Sequence, residues 1–210
     1  MPVGDTIFRR VEAATDEEIR ALCAALGISA TGDHGVDKTN ISQEYRSAAG
    51  NSFANIFRDD HELPYKRILI DVVDKLKPGM GWTDYKIDDS SSEEEIEDAI
   101  MGFVVKRVED QLAKLSSKER SKRAAEIEAE LRRTGATSSA ASAAGAAVLS
   151  GAVGRLVLPL LLGGVVGSLL GMPLIFASLS GPAYRKTVPA TVQLIRIRQR
   201  LSAEAELGGQ

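Results

Sequence analysis

Hydrophobic and polar positions recur with a helical period through the first two thirds of the chain. The clearest example is the segment 63–77, LPYKRILIDVVDKLK, in which apolar residues are spaced by three and four. That spacing places them on one face of a helix, and Pro78 and Gly79 then end it. The apolar face comprises Tyr65, Ile68, Leu69, Val72, Val73 and Leu76.

Further helices are predicted from capping boxes, in which Ser or Thr is followed three residues later by Glu. The boxes begin at Thr15, Ser92 and Ser116, and the helices that follow are expected to end near Gly27, Leu115 and Arg133. Another helix is expected between 39 and 58, with an interruption near Gly50. No segment shows the alternating pattern of a strand, so the predicted fold is all-α.

A long uncharged block, residues 136–181, departs from this pattern and is interrupted by Arg155 alone. Its second part continues to Tyr184, so that 156–184 contains 29 residues without a charge. A run of at least about 18 apolar residues can cross a bilayer as a helix. A helix that is apolar on all sides can also form the buried centre of a protein. The block is therefore predicted to be an apolar helical hairpin that lies in one of these two environments or pairs with a partner protein.

Three glycines inside the block, Gly163, Gly167 and Gly171, are spaced by four and so lie along one side of a helix. A glycine stripe lets a second helix approach closely, and this spacing is typical of helix pairs in membranes. In water each glycine would cost about 1 kcal/mol relative to alanine. We therefore predict that the three glycines pack helices together and support a homo-oligomer.

The charges are divided unevenly along the chain. Residues 1–133 carry 20 basic and 27 acidic side chains, whereas residues 134–210 carry 6 basic and 2 acidic ones. The net charge of −3 argues against nucleic-acid binding. Cys23 is the only cysteine, so an intramolecular disulfide or a cysteine zinc site is excluded. The first residues lack the apolar core of a signal peptide, and a cytoplasmic location is expected.

The segment 182–210 is predicted to form a basic amphipathic helix that begins near Pro189, where the missing N–H of proline is not needed. Arg196 and Arg200 lie beside apolar positions of this helix. Such a helix can rest on anionic lipid next to an apolar hairpin. It can equally dock onto the acidic first part of the chain, and both alternatives stay open from the sequence.

The sequence contains no recognisable catalytic constellation. The glycines of the uncharged block are not followed by the lysine of a phosphate-binding loop, and no nucleophile elbow is present. His34 has no neighbouring ligand pattern, and His61 beside Asp59 and Asp60 lacks the spread geometry of a closed metal site. We therefore expect no enzyme activity, no cofactor, and no catalytic, cofactor-binding or metal-binding residues.

Two segments carry a family resemblance. They are GNSFANIFRDDHELPYKRILIDVVDKLK at 50–77 and AYRKTVPATVQL at 183–194. In the first segment the matching positions are Ser52, Asn55, Arg58, Tyr65, Ile68, Leu69, Asp71 and Val72. With the glycine-rich apolar stretch that precedes the second segment, these features resemble the uncharacterised bacterial YaaW family over most of the chain.

That family is distantly grouped with the ubiquinol–cytochrome c chaperones, which implies an all-helical fold and no established reaction. At the junction between the uncharged block and the last helix, the resemblance singles out Tyr184, Arg185, Thr187 and Pro189. It implies that this junction contacts lipid headgroups or a protein partner. It also singles out Asn55 and Arg58, which we expect to make fold-specific polar contacts.

The expected organisation is a flexible arm at 1–14, a charged helical domain at 15–133, the apolar hairpin at 136–181 and a basic helix at 182–210. The leading hypothesis is a non-enzymatic protein whose hairpin inserts into or packs on a bilayer, with conditional exposure and oligomerisation as further options. Charged helices would shield the hairpin in a soluble form, because large exposed apolar patches favour aggregation. The alternative is a chaperone-like or protein-interaction module with the hairpin as its core. The location would be the cytoplasm or the inner face of the plasma membrane.

Overall fold

A computed structural model of the chain describes residues 5–29, 37–50, 63–77, 87–133, 137–151 and 183–208. Within these ranges all regular structure is α-helical and no strand occurs, which confirms the all-α prediction. The helices of the described ranges are α1 (Thr6–Glu12), α2 (Asp16–Leu26), α3 (Lys38–Gly50), α4 (Tyr65–Leu76), α5 (Glu93–Lys114), α6 (Ser117–Arg133), α7 (Ser138–Ser150) and α8 (Tyr184–Gly208).

The three predicted capping boxes start helices α2, α5 and α6. At α2 the backbone N–H of Thr15 donates to the Glu18 carboxylate over 2.8 Å, and the Thr15 hydroxyl accepts from the Glu18 N–H. The same reciprocal bonds join Ser92 to Glu95 and Ser116 to Glu119. Helix α2 ends at Gly27, whose φ of 72° lies in the left-handed region that glycine adopts without strain.

Helix α4 confirms the strongest periodicity in the sequence. Every residue of its predicted apolar face is buried, and Leu69 and Leu76 are fully so. Its bounds lie inside the predicted segment 63–77 because Pro64 adopts an extended conformation as the N-cap. Apolar spacing alone was therefore sufficient to place this helix and its buried face.

The flexible arm predicted for 1–14 is wrong from Thr6 onward. Thr6–Glu12 forms α1, in which the side chains of Ile7 and Val11 are completely buried. The Asp5 carboxylate accepts from the N–H of Ile7 over 3.0 Å and caps the helix. A helix of seven residues gives too few repeats for its apolar period to be recognised in the sequence.

Helix α8 begins at Tyr184, five residues before the predicted start, so Pro189 lies inside the helix. Proline has no N–H to donate to the carbonyl of Arg185, which normally weakens a helix interior. Here the surrounding turns are buried, and the residues from Thr187 to Ile195 are shielded on all sides. Tertiary burial of this segment therefore overrides the local cost of proline.

The described helices belong to two compact units. Unit 1 comprises residues 1–100 and 179–210, and unit 2 comprises 101–178. The boundary falls within α5, whereas the sequence had placed 15–133 in a single domain. In unit 1, helix α8 packs against α1, α2, α3 and α4, and α3 also contacts α1 and α2. Helix α8 is thus the central element of this unit.

The described part of unit 2 contains α6 and α7 packed against each other. Arg120, near the start of α6, donates to the carbonyl oxygen of Leu149, near the end of α7, over 3.4 Å. Since the start of one helix meets the end of the other, the pair is antiparallel. The side chains of these two helices that are buried are Ala124, Ile127, Leu131, Ala141, Ala144, Ala147 and Val148.

The uncharged block is described only in its first part, where 137–151 forms the Thr137-capped helix α7. Its remaining residues, 152–181, lie outside the described ranges, so the hairpin itself stays a prediction. Among the helices of the described ranges, none combines the length and the apolar character needed to cross a membrane.

Replacing Ile7 with Ala tests whether α1 belongs to the core. Because Ile7 is completely buried, we expect the free energy of unfolding to fall by about 2–5 kcal/mol. The control Arg9→Ala alters an exposed position of the same helix and should change stability by less than about 0.5 kcal/mol. Urea unfolding followed by circular dichroism measures both, and equal small effects would contradict a core role for α1.

Candidate functional site

A buried charge cluster, made of Arg10, Tyr65, Glu97 and Arg198, joins helices α1, α4, α5 and α8 in unit 1. The side chain of Glu97 has 0% exposure, and each of its carboxylate oxygens faces an arginine. Arg10 Nη1 lies 2.5 Å from Oε1, and Arg198 Nε lies 2.5 Å from Oε2. A buried carboxylate needs such partners because removing a charge from water costs several kcal/mol.

Arg10 is held by two further interactions with Tyr65. Its Nη1 donates to the Tyr65 hydroxyl over 2.8 Å, and its guanidinium carbon lies 4.7 Å from the ring centroid. Burial lowers the pKa of Arg10, but Tyr65 and Glu97 outweigh it and leave that pKa raised. Burial and the charge of Glu97 raise the pKa of Tyr65 well above its ordinary value. Arg10 therefore stays charged and Tyr65 stays neutral.

Arg198 connects the cluster to the surface. Besides Glu97 it forms an ion pair with Glu94, whose side chain is 71% exposed, and it lies 4.0 Å from Asp98. Within the described residues the Nε of Arg198 and the Oε2 of Glu97 have no hydrogen-bond partner, so their short contact is a charge pair without an aligned N–H. Arg198 thus neutralises Glu97 at the carboxylate oxygen that Arg10 does not contact.

A second buried polar connection links α3 to α8 through Tyr45. The Tyr45 and Thr191 hydroxyl oxygens lie 2.7 Å apart, and Thr191 donates its proton to the carbonyl of Thr187 over 2.8 Å. Since a threonine hydroxyl has one proton, Tyr45 must be the donor to Thr191. Burial raises the pKa of Tyr45, which keeps this donor protonated.

The charged and hydroxyl groups of the buried charge cluster contact one another. Within the described residues no group of three or more His, Cys, Asp or Glu side chains could hold a metal ion. Cys23 is buried, and burial raises the pKa of its thiol, which makes the thiolate scarce. The arrangement is suited to fixing the relative positions of four helices.

Two of the arginines predicted to contact lipid or a protein partner, Arg196 and Arg200, lie against α2. Arg200 donates to both carboxylate oxygens of Glu18, over 2.9 and 3.0 Å, and to the carbonyl of Ala13. Arg196 donates to Gln193, and burial lowers the pKa of Arg196 despite the nearby acidic side chains of α2. The structure therefore shows the docked arrangement of this helix, and its contact with lipid remains a prediction.

The predicted junction residues differ in how far they are buried. Thr187 and Pro189 are buried, Arg185 is exposed, and Tyr184 is half-buried. The Nζ of Lys75 on α4 lies 4.7 Å from the ring centroid of Tyr184. The junction therefore has an inner part within the helix packing and an outer part at the surface.

The remaining predicted site residues lie outside the described ranges. They are Asn55, Arg58, Gly163, Gly167 and Gly171. Their proposed roles in polar contact and in helix packing stay predictions.

Helix α7 forms a second candidate site because it has no charged residue on any face. One face is buried on α6, where a Cβ atom built on Gly145 would lie 2.7 Å from the Cγ of Glu128. The Leu149 side chain, near the end of α7, is 48% exposed. The exposed residues of α7 are Ser138, Ser139, Ser142, Ala143, Ala146, Leu149 and Ser150. A charged helix thus covers one side of an uncharged one.

Comparison with curated proteins shows two similar chains from Helicobacter pylori, both described as UPF0174 protein. The chain of strain J99 is 29% identical over an alignment of 196 residues, and that of strain 26695 is 30% identical over 200 residues. Each alignment covers 78% of this chain and 88% of the relative. No family model and no solved structure matches.

These similarities place the chain in an uncharacterised protein family. The chain belongs to the UPF0174 family. The description of these relatives assigns no activity to them.

The buried charge cluster was not predicted from the sequence, although a sign of it was present. Glu97 lies three and four residues before Ile100 and Met101, inside the apolar stripe of α5. A carboxylate at such a position must find a buried partner or lose its charge. The acidic run 93–98 around Glu97 concealed this exception, and Arg10 lay in the presumed arm.

Glu97→Gln tests the cluster as the centre of unit 1. Removing this charge leaves the buried Arg10 and the half-buried Arg198 without their shared partner, so the free energy of unfolding should fall by about 3–5 kcal/mol. Glu94→Gln removes an exposed partner of the same arginine and should cost less than about 1 kcal/mol. Chemical denaturation of both variants checks this order, and a smaller loss for Glu97→Gln than for Glu94→Gln would contradict it.

The contact between Arg200 and Glu18 predicts how stability depends on pH. Burial raises the pKa of Glu18, but hydrogen bonds from Arg200 and Thr15 outweigh it and hold that pKa below its ordinary value of 4.5. Because the folded-state pKa is depressed, this stabilisation is present above the unfolded pKa and is lost as the pH falls through the folded one. Glu18→Gln should therefore destabilise the protein above pH 4.5, and its difference from wild type should shrink on acidification.

Urea midpoints measured across this pH range test the prediction. The control Glu17→Gln alters a neighbouring exposed carboxylate that forms no ion pair with a described residue. If the difference in urea midpoint between Glu18→Gln and wild type grows as the pH falls, the predicted pH dependence is wrong.

Proposed function

We propose that this chain is a non-enzymatic helical protein that associates with a lipid bilayer through its uncharged block, and that α6 covers the first part of that block before binding. The observation that carries the proposal is the α6–α7 pair. An entirely uncharged helix lies with one face on a charged helix, and its other face exposes no charge.

The sequence of α6 suits a covering role. Its inner side presents Ala124, Ile127 and Leu131, a narrow stripe that can leave its partner at modest cost. Its outer side carries charges of both signs, including Lys122, whose side chain is 79% exposed. Such a helix keeps apolar surface away from water and stays soluble when it separates.

Unit 1 supports the proposal by holding α8 in place. The buried charge cluster and the contact between Arg200 and Glu18 attach α8 to α1, α2 and α5. The uncharged block therefore leads directly into a helix that is fixed in a folded unit. We propose the inner face of the plasma membrane as the location, and the predicted glycine stripe as the basis of a homo-oligomer.

A second candidate is a water-soluble module for protein assembly with the uncharged block as its core. Complete burial of Ala141 and Ala144 and near-complete burial of Val148 favour it, because this face of α7 already belongs to a protein interior. A relationship to the YaaW family, and distantly to the ubiquinol–cytochrome c chaperones, would fit this candidate. Its partner would be a protein rather than lipid.

A reversible disulfide between α6 and α7 tests whether α7 must leave α6. A Cβ on residue 145 would lie 2.7 Å from the Cγ of Glu128, so the two positions are close enough for a disulfide to be introduced. The double substitution Glu128→Cys and Gly145→Cys also removes the side chain that would obstruct a new Cβ. We expect the oxidised variant to lose flotation with phosphatidylcholine vesicles in high salt, and reduction to restore it.

Two controls make the result specific. Glu128→Cys alone cannot form the bridge and should float in oxidising and reducing buffer alike, while the native Cys23 is buried and stays in place. Deletion of 136–180 should abolish flotation. If the oxidised double variant floats as well as the reduced one, the covering role of α6 is wrong. If the full chain floats under no condition, bilayer association is wrong and the assembly module is favoured.

A further inference from the structure

We propose that a basic junction, made of Lys75, Lys77, Arg185 and Lys186 around Tyr184, binds the phosphate groups of anionic phospholipids. The inference rests on the proposed bilayer association and adds the lipid class and the protein surface that recognises it. It places the lipid contact at the beginning of α8 rather than along the arginines farther down that helix.

Two contacts bring three helix ends together at this junction. Lys75, in the last turn of α4, lies with its Nζ 4.7 Å from the ring centroid of Tyr184 at the start of α8. Lys186, in the first turn of α8, has its Cε and Nζ 3.7 Å from the position that a Cβ would occupy on Gly27, the C-cap of α2. The ends of α2 and α4 therefore meet the start of α8.

The charges of these helix ends are mostly positive. The segments 26–29, 74–77 and 183–187 contain four basic side chains and one acidic side chain, Asp74. Lys77 and Lys186 form no ion pair with a described residue, and the Lys186 side chain lies at the surface. A lysine close to an anionic bilayer contributes attraction without needing a shaped pocket.

The position of the junction in the sequence favours lipid over another anionic partner. The 29 residues before Arg185 carry no charge, so positive charge begins where the apolar sequence ends. Basic and aromatic side chains are typical of the boundary between the apolar and aqueous layers of a membrane protein. The ring of Tyr184 would lie at that boundary and the lysines at the phosphate groups.

Two arginines farther along α8 are committed elsewhere. Arg198 is paired with Glu94 and Glu97, and Arg200 is paired with Glu18 and Glu204. These pairs point the arginines at the protein's own carboxylates. At the junction, Arg185 and Lys186 are exposed at the start of α8, and Lys75 and Lys77 are half-buried at the end of α4.

Flotation of the full chain with two kinds of vesicle tests the junction. Wild type should bind vesicles of phosphatidylcholine with phosphatidylglycerol more strongly than phosphatidylcholine alone, and the difference should vanish in high salt. Lys77→Gln with Lys186→Gln should lower partitioning onto the anionic vesicles by about 30-fold. It should leave partitioning onto the neutral vesicles unchanged.

The matched control is Arg9→Gln with Arg20→Gln, which removes the same charge from exposed positions of unit 1 that form no ion pair with a described residue. This control should keep the preference for anionic vesicles. Lys77→Arg with Lys186→Arg, which retains both positive charges, should keep that preference as well. Equal losses of partitioning onto anionic vesicles in both glutamine double variants would contradict the junction as the lipid-binding surface. A wild type that floats equally on both vesicles overturns the junction alone, whereas a wild type that floats on neither overturns bilayer association as well.

Discussion

The carboxylate of Glu97 lies in a fully buried position and is neutralised by two arginines that come from opposite ends of the sequence. This arrangement constrains the rest of unit 1, because α1 and α8 must both be in place before the charge on α5 can be accommodated. Helix α1 is too short to persist alone, so its position depends on this contact and on the burial of Ile7 and Val11. A buried ion pair of this kind adds little net stability, but it makes misplaced helices costly.

Sequence periodicity predicted the helices in which side chains repeat over several turns. It placed α4 within two residues at its start and one at its end, and capping boxes located the starts of α2, α5 and α6. It failed for α1, which has only two apolar turns, and for the start of α8, where proline was taken as a first-turn residue. In both cases tertiary burial decides the structure, and burial is a property of distant residues that local patterns do not contain.

In the candidate sites, too, some features follow from the local sequence and others depend on distant residues. The uncharged character of α7 is visible in the sequence, as is the charged character of α6, but the contact between the two helices is known only from the structure. The arginines of α8 were recognised as a basic stripe, but the sequence left open whether they meet lipid or protein. Their carboxylate partners Glu94 and Glu18 lie 104 and 182 residues away, a separation at which no local spacing rule applies.

Unit 1 joins residues 1–100 to residues 179–210, and its central helix is therefore translated last among those described. At a synthesis rate of about 5–20 residues per second, the ribosome needs roughly 5–20 s to proceed from α5 to the end of α8. During that interval the apolar faces of α1–α4 have no α8 to cover them, while the uncharged block is already emerging. A nascent chain in this state displays its most apolar sequence before its fold can close. Targeting factors or chaperones that act during translation consequently meet a different surface from the one that the finished protein presents.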